Sequence, residues 1–158
     1  MFDWLKRRVL DPLLGFLKQG TSPQSLALCV AIAIVVGNIP ILGVSSVLCT
    51  LIALLFRLNL PAIQLVQWLM APTQVLLIIP FVRLGEWIMR DPKEPISIKA
   101  AMDLMAHGIG TAIVGLWNAI VHAGIAWALV APGLIYLIYK ALTPVFRQAA
   151  MRMARESA

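Results

Sequence analysis

Three stretches of this chain, residues 19–56, 58–82 and 104–139, contain no Asp, Glu, Lys or Arg. That feature limits the fold more than any motif does. A bilayer core about 30 Å thick is spanned by roughly 20 apolar residues in a helix, and each block exceeds that length. Composition agrees: 61% of the 158 residues are hydrophobic and 13% are charged, with a mean hydropathy of +0.89. Globular domains run near 25% charged. A soluble core, a disordered tail and a disulfide scaffold are therefore excluded, and the chain reads as an all-α integral membrane protein forming a single membrane domain, 1–158.

Charge sets the orientation. Of 13 basic and 7 acidic residues, Lys6, Arg7, Arg8 and Lys18 precede the first block, and Lys140, Arg147, Arg152 and Arg155 follow the last. Lys and Arg beside membrane segments stay cytoplasmic, which predicts a multi-pass membrane protein with both termini cytoplasmic. The net charge of +6 has no aromatic or motif support for nucleic-acid binding. Cys29 and Cys49 lie within the first block and read as small hydrophobes. The N-terminus does not read as a cleaved signal, because an amphipathic segment is expected before a long apolar one.

Along the chain, residues 1–19 hold a surface helix over 2–17, with Phe2, Leu5, Val9, Leu13, Phe16 and Leu17 on its apolar face and Pro12 as a kink. Residues 20–59 start with a cap at Thr21-Ser22-Pro23. As one helix, 24–56 would reach about 50 Å, but Gly37-Asn38-Ile39-Pro40-Ile41-Leu42-Gly43 interrupts it. The expectation is two half-helices, 24–36 and 44–56, in a re-entrant hairpin whose turn is buried against protein or water. Residues 60–82 carry Pro72 within Ala71-Pro72-Thr73-Gln74, giving one kinked crossing or a second, shorter hairpin. The two blocks share a layout of helix, Pro-containing break, helix and Arg, the pattern of transporters with interrupted helices. Residues 83–103 form a charged connector. Residues 104–140 are one long tilted helix or a two-helix unit, with breaks only at Gly124 and Pro132, and 141–158 is a basic tail.

The ordered set Thr21-Ser22-Pro23, Pro40-Ile41-Leu42-Gly43, Arg57-Leu58-Asn59, Pro72-Thr73 and Leu84-Gly85 resembles a bacterial membrane family known as domain of unknown function 2062, over Gly20 to about Trp87. That pattern has Asn-Pro-Thr at the second break, where this chain has Ala71-Pro72-Thr73, so a role for that Asn does not transfer. The resemblance implies a bacterial inner-membrane protein, in some members joined to envelope glycosyltransferases; it implies no activity.

Polar residues inside the blocks are the candidate site. Ser46, Thr50, Ala53 and Arg57 recur at spacings of four and three on one helical face. They make either a small-residue packing seam or one wall of a polar groove ending at Arg57, itself a snorkelling anchor or an anion ligand. Gln64, Gln67 and Gln74 must find partners in so apolar a block; interhelical hydrogen bonds and a phosphate site at the half-helix N-termini both satisfy them. Asn38, Pro40, Gly43, Asn59, Pro72, Thr73 and Arg83 complete the groove candidates. His107, Thr111, Gly115, Asn118 and His122 fall in an arc of about 80° on one helix, an interface or a proton relay. The histidines would stand about 22 Å apart, too far to share a zinc, and no carboxylate accompanies either.

No phosphate loop, metalloprotease pair or Gly-x-Ser-x-Gly occurs, so neither an enzyme nor a cofactor or metal is expected. Two functions remain: a small transporter or lipid-translocating protein that binds an anionic, phosphate-bearing envelope lipid in the groove, or a non-catalytic scaffold for an envelope-biosynthesis enzyme. Polar stripes on so short a chain also predict a homo-oligomer, most simply a dimer with the His107–His122 face as its seam.

Overall fold

The computed structural model describes residues 11–18, 20–41, 43–92 and 98–156, and among them every regular element is helical. In order these are α1 Asp11–Lys18, α2 Pro23–Gly37, α3 Val44–Leu55, α4 Leu60–Leu69, α5 Ala71–Met89, α6 Ile98–Ala106, α7 Ile109–Gly115 and α8 Trp117–Glu156. The surface helix expected over 2–17 lies largely outside the described residues. Its described end differs from expectation, because Phe16 and Leu17 pack on the protein core, and Pro12 sits in the first turn of α1, where a ring is tolerated.

The first block folds as its punctuation dictates. Ser22 caps α2, its Oγ accepting from the Ser25 N–H at 3.1 Å, and Pro23 fills the first turn. Gly37 closes α2, and α3 starts after Gly43, whose φ of 83° suits glycine. Arg57, at φ 51°, turns the chain into Asn59. The Asn59 Oδ1 accepts from the Ala62 N–H at 3.0 Å and caps α4, while its Nδ2 donates to the Thr21 Oγ1 at 3.1 Å. The Arg57-Leu58-Asn59 motif is thus a turn tied back to the start of α2.

The second break falls at Met70, not at Pro72. The chain bends there by 64° between α4 and α5, and Pro72 lies in the first turn of α5. A proline there lacks an N–H that the turn does not use, so it marks the start of the second helix. The supposed connector at 83–103 also shrinks. Helix α5 continues through Pro80 and Arg83 to Met89, helped by an i,i+3 pair between Arg83 and Glu86 at 2.8 Å, and 98–103 belongs to α6.

The third block contains neither one tilted helix nor two. Gly108, at φ 115°, separates α6 from α7, and Leu116 separates α7 from α8. Gly124 and Pro132 interrupt nothing, and the tail after 140 remains helical to Glu156. Tertiary packing keeps α8 continuous, since it is the element against which α2 and α5 both rest.

Helix α2 is buried on nearly every side, as a helix apolar all round must be. Leu26, Cys29, Cys49 and Ile63 form the centre with Phe146, and both thiols are free. Helices α2 and α8 run antiparallel: Gln24 lies beside Tyr139 and Arg147, and the Trp127 Nε1 donates to the Val35 carbonyl at 3.0 Å. Where α5 crosses α8, a Cβ at Gly85 would stand 2.0 Å from the His122 carbonyl oxygen. Only glycine permits that approach. Gly85→Ala should therefore lower the unfolding temperature clearly, since overpacking costs about 1–3 kcal/mol. Gly133→Ala, where nothing lies within 4 Å, should cost nothing. Equal unfolding temperatures for wild type and Gly85→Ala would disprove the contact.

Candidate functional site: the seam between α3 and α4

Helix α3 turns its polar side inward. Ser45 is buried and Ser46 and Thr50 half-buried, while Val47, Leu51, Leu54 and Leu55 are exposed. Facing them on α4 are Gln64 and buried Gln67. The Gln67 Nε2 donates to the Ser45 Oγ at 3.2 Å, and its Oε1 accepts from the Ser46 Oγ at 3.2 Å. The Gln64 Nε2 donates to the Thr50 Oγ1 at 2.8 Å, and that hydroxyl donates to the Ser46 carbonyl at 2.8 Å. A polar group left bare in an apolar body costs several kcal/mol, and here the groups remove that cost for one another.

A second cluster surrounds the first break. Asn38 and Pro40 are buried. The Asn38 Nδ2 donates to the Ile34 carbonyl at 2.7 Å, and its Oδ1 is buried with no partner among the described residues. The Gln74 Nε2, from α5, donates to the Ile39 carbonyl at 2.7 Å and reaches the Ile41 carbonyl at 3.4 Å. Non-helical backbone carbonyls thus receive the donor they need.

The remaining groove candidates do not converge. Arg57 is exposed beyond the end of α3, so the face of Ser46 and Thr50 ends at Ala53. Asn59 is spent on its cap. Arg83 is paired with buried Glu86. Pro72 and Gly43 are exposed, Thr73 is half-buried, and neither α3 nor α5 has a side-chain cap at its N-terminus.

The histidine stripe is divided among three helices and their joints. His107 is exposed at the end of α6, its Nδ1 2.7 Å from the Asp103 carbonyl. Thr111 and Gly115 belong to α7, where Gly115 abuts Leu104. Asn118 and His122 lie on α8. His122 is buried; its Nδ1 is 2.6 Å from the Asn118 carbonyl and its Nε2 2.9 Å from the Asp91 Oδ2. The expectation that no carboxylate meets a histidine is overturned by a contact across 31 residues, a separation that local spacing cannot register. Among the described residues, no three His, Cys, Asp or Glu side chains are grouped to hold a metal. Sequence reasoning also missed Ser45 and Glu86. Ser45 was recoverable as the neighbour of Ser46, and Glu86 as the i+3 partner of Arg83.

These features define an all-helical protein of interrupted apolar helices braced by one long helix. Within that class the chain belongs to DUF2062, described as an uncharacterized protein conserved in bacteria, whose family model matches residues 5–152. No curated protein and no solved structure matches the chain.

The seam makes a direct prediction. Gln67→Leu strands the Ser45 and Ser46 hydroxyls and should lower stability by about 1–3 kcal/mol. Adding Ser45→Ala and Ser46→Ala should restore most of it, because removing both partners is nearly neutral. Arg57→Gln should leave the unfolding temperature in detergent unchanged. A Gln67→Leu protein as stable as wild type would contradict this bonding.

Proposed function

We propose that this chain is an integral protein of the bacterial inner membrane, with both termini cytoplasmic, acting as a non-catalytic scaffold for an envelope-biosynthesis enzyme. The single observation behind this reading is the inversion of α3, with hydroxyls inside and large aliphatic side chains outside. In water that arrangement is unfavourable; in lipid it is the stable one, because polar groups need protein partners there. The apolar run 117–139 of α8 would measure about 35 Å, enough to cross, and the basic residues from Lys140 onward then stay inside.

In this reading the first block is a re-entrant hairpin. Trp127 lies near the middle of the apolar run, and its bond to Val35 sets the break at 38–43 close to mid-depth. The bent pair α4–α5 is a second interrupted segment. The seam residues bond one another, as a structural role requires, and the proposal includes a twofold dimer whose seam excludes His122, already engaged by Asp91.

The second reading, translocation of an anionic lipid, is not favoured at the break, where the Asn38 Oδ1, left without a partner among the described residues, is itself an acceptor.

The topology test places a thiol at Asn38 in a Cys29→Ala/Cys49→Ala background. It should react with an impermeant maleimide from neither face; labelling from the periplasm at the rate of a loop thiol would make this block two full crossings. In liposomes, wild type should move a headgroup-labelled anionic phospholipid no faster than protein-free vesicles do. Translocation abolished by Arg57→Gln at unchanged stability would replace the scaffold with the transporter.

A further inference from the structure

We propose that the cleft between the start of α2 and the last third of α8 is a seat for the phosphate-bearing headgroup of an anionic membrane lipid, with Lys140 and Arg147 as its anion ligands. The inference rests on the membrane placement above and is independent of the scaffold role. It also moves the anion site away from Arg57 and Arg83, one outside any enclosure and the other neutralised by Glu86.

The cleft holds about 450 Å³, within the range of small-ligand sites. Lys140 and Arg147 are seven residues apart on α8, two helical turns, so they project from one face about 10 Å apart along the axis. Gln24 of α2 lines the cleft with them, as do Gln148 and Met151. No acidic side chain is among the described lining residues, and among the described residues neither cation is in an ion pair. The Lys140 ammonium sits 5.5 Å from the Tyr136 ring centroid, a cation–π contact that restricts an otherwise flexible chain. Gln24 belongs to the first turn of α2, so the positive end of that helix dipole adds to the same field.

Depth selects the ligand. Lys140 is the first charged residue after the uncharged run 104–139. Tyr136 and Tyr139 precede it, in the position amphipathic rings occupy at a membrane interface. Phosphate groups of lipids lie at that level. Two cations in a cleft with no described acid select a headgroup with net negative charge over a zwitterionic one, whose own cation would be repelled. The guanidinium of Arg147 can take two phosphate oxygens at once, and the ammonium of Lys140 adds a point charge.

The test uses the full chain in nanodiscs of zwitterionic lipid with a minor fraction of phosphatidylglycerol, followed by native mass spectrometry. Wild type should retain phosphatidylglycerol, and Lys140→Gln/Arg147→Gln should lose about tenfold or more in retention, the factor that about 1.4 kcal/mol of lost headgroup binding gives. Arg152→Gln/Arg155→Gln removes the same charge from exposed positions outside the cleft and should retain lipid as wild type does. Equal loss in both double variants would reduce the effect to general surface attraction and overturn the seat. Equal retention of zwitterionic lipid would overturn the charge selection. Inorganic phosphate is added separately to detergent-solubilised protein; if it stabilises wild type while no phosphatidylglycerol is retained, the ligand is a free anion and the lipid assignment fails. Arg147→Lys, which keeps the charge, guards against misfolding of the double variant and should retain lipid. Insertion is read from the Asn38 thiol in the same discs, so a lost seat with intact insertion counts against the seat alone.

Discussion

Backbone carbonyls freed at each helix break must find donors inside a body with almost none to spare, and the fold depends on how they do. An apolar interior offers no water to take up an unpaired C=O. Around the first break backbone N–H groups supply some of the donors, as Ile41 does to the Ile39 carbonyl at 2.8 Å, and three side chains add more. Trp127 reaches from α8 to the Val35 carbonyl, Asn38 bonds back to Ile34, and Gln74 reaches from α5 to Ile39 and Ile41. Each comes from a different element, so the break holds only when α2, α5 and α8 are all in place. The local interruption thereby becomes a tertiary joint.

The same logic orders the helices. With α2 apolar on every side, it must be central, and the long α8 is the surface that covers it. Gly85 lets the α5 backbone come against the His122 carbonyl, and the resulting closeness puts His122 within reach of Asp91 just beyond the end of α5. One missing Cβ thus connects packing to the ionisable pair. Helix α3 adds hydrogen bonds to the apolar contacts that Cys49 and Ala53 make in the core. Ser45, Ser46 and Thr50 bond Gln64 and Gln67 of α4, and Val47, Leu51, Leu54 and Leu55 face outward.

Much of the first half of the fold was legible because glycine, proline and capping residues act locally. Expected half-helices of 24–36 and 44–56 match helices of 23–37 and 44–55, since Gly37, Pro40 and Gly43 limit backbone geometry whatever surrounds them. The second half was not. Gly124 and Pro132 look like breaks in sequence, yet α8 runs through both, because continuity of a packed helix is decided by the neighbours that hold its flanks. Pro72 was informative but marks a helix start, not the bend at Met70. Of the candidate site, interhelical hydrogen bonding of the glutamines was legible as one of two readings, but not that the serine and threonine hydroxyls of α3 are their partners. The His122–Asp91 pair and the cleft beside Lys140 needed the tertiary fold, because each joins residues from separate elements.

The placement of carboxamides and guanidinium groups separates structure from recognition in this molecule. A carboxamide has a donor and an acceptor and can close on its neighbours, as Gln67 does with two serines, leaving nothing to offer a ligand. A guanidinium has only donors and is met by water where it is exposed or by an anion where one is within reach. Arg83 meets Glu86 within the chain. Arg147 shares its cleft with a second cation and no described acid, so an anion bound there would meet no competing carboxylate among the described residues. The Asn38 Oδ1 is the opposite case, an acceptor lacking a donor, but its other half is tied to Ile34 and it is walled in by α2 and the break. A single neutral acceptor so enclosed fits one donor; two mobile cations at an open cleft fit a charged headgroup. Charge and access together therefore favour the proposed recognition site at the basic end of α8, and leave the α3–α4 seam to hold the fold.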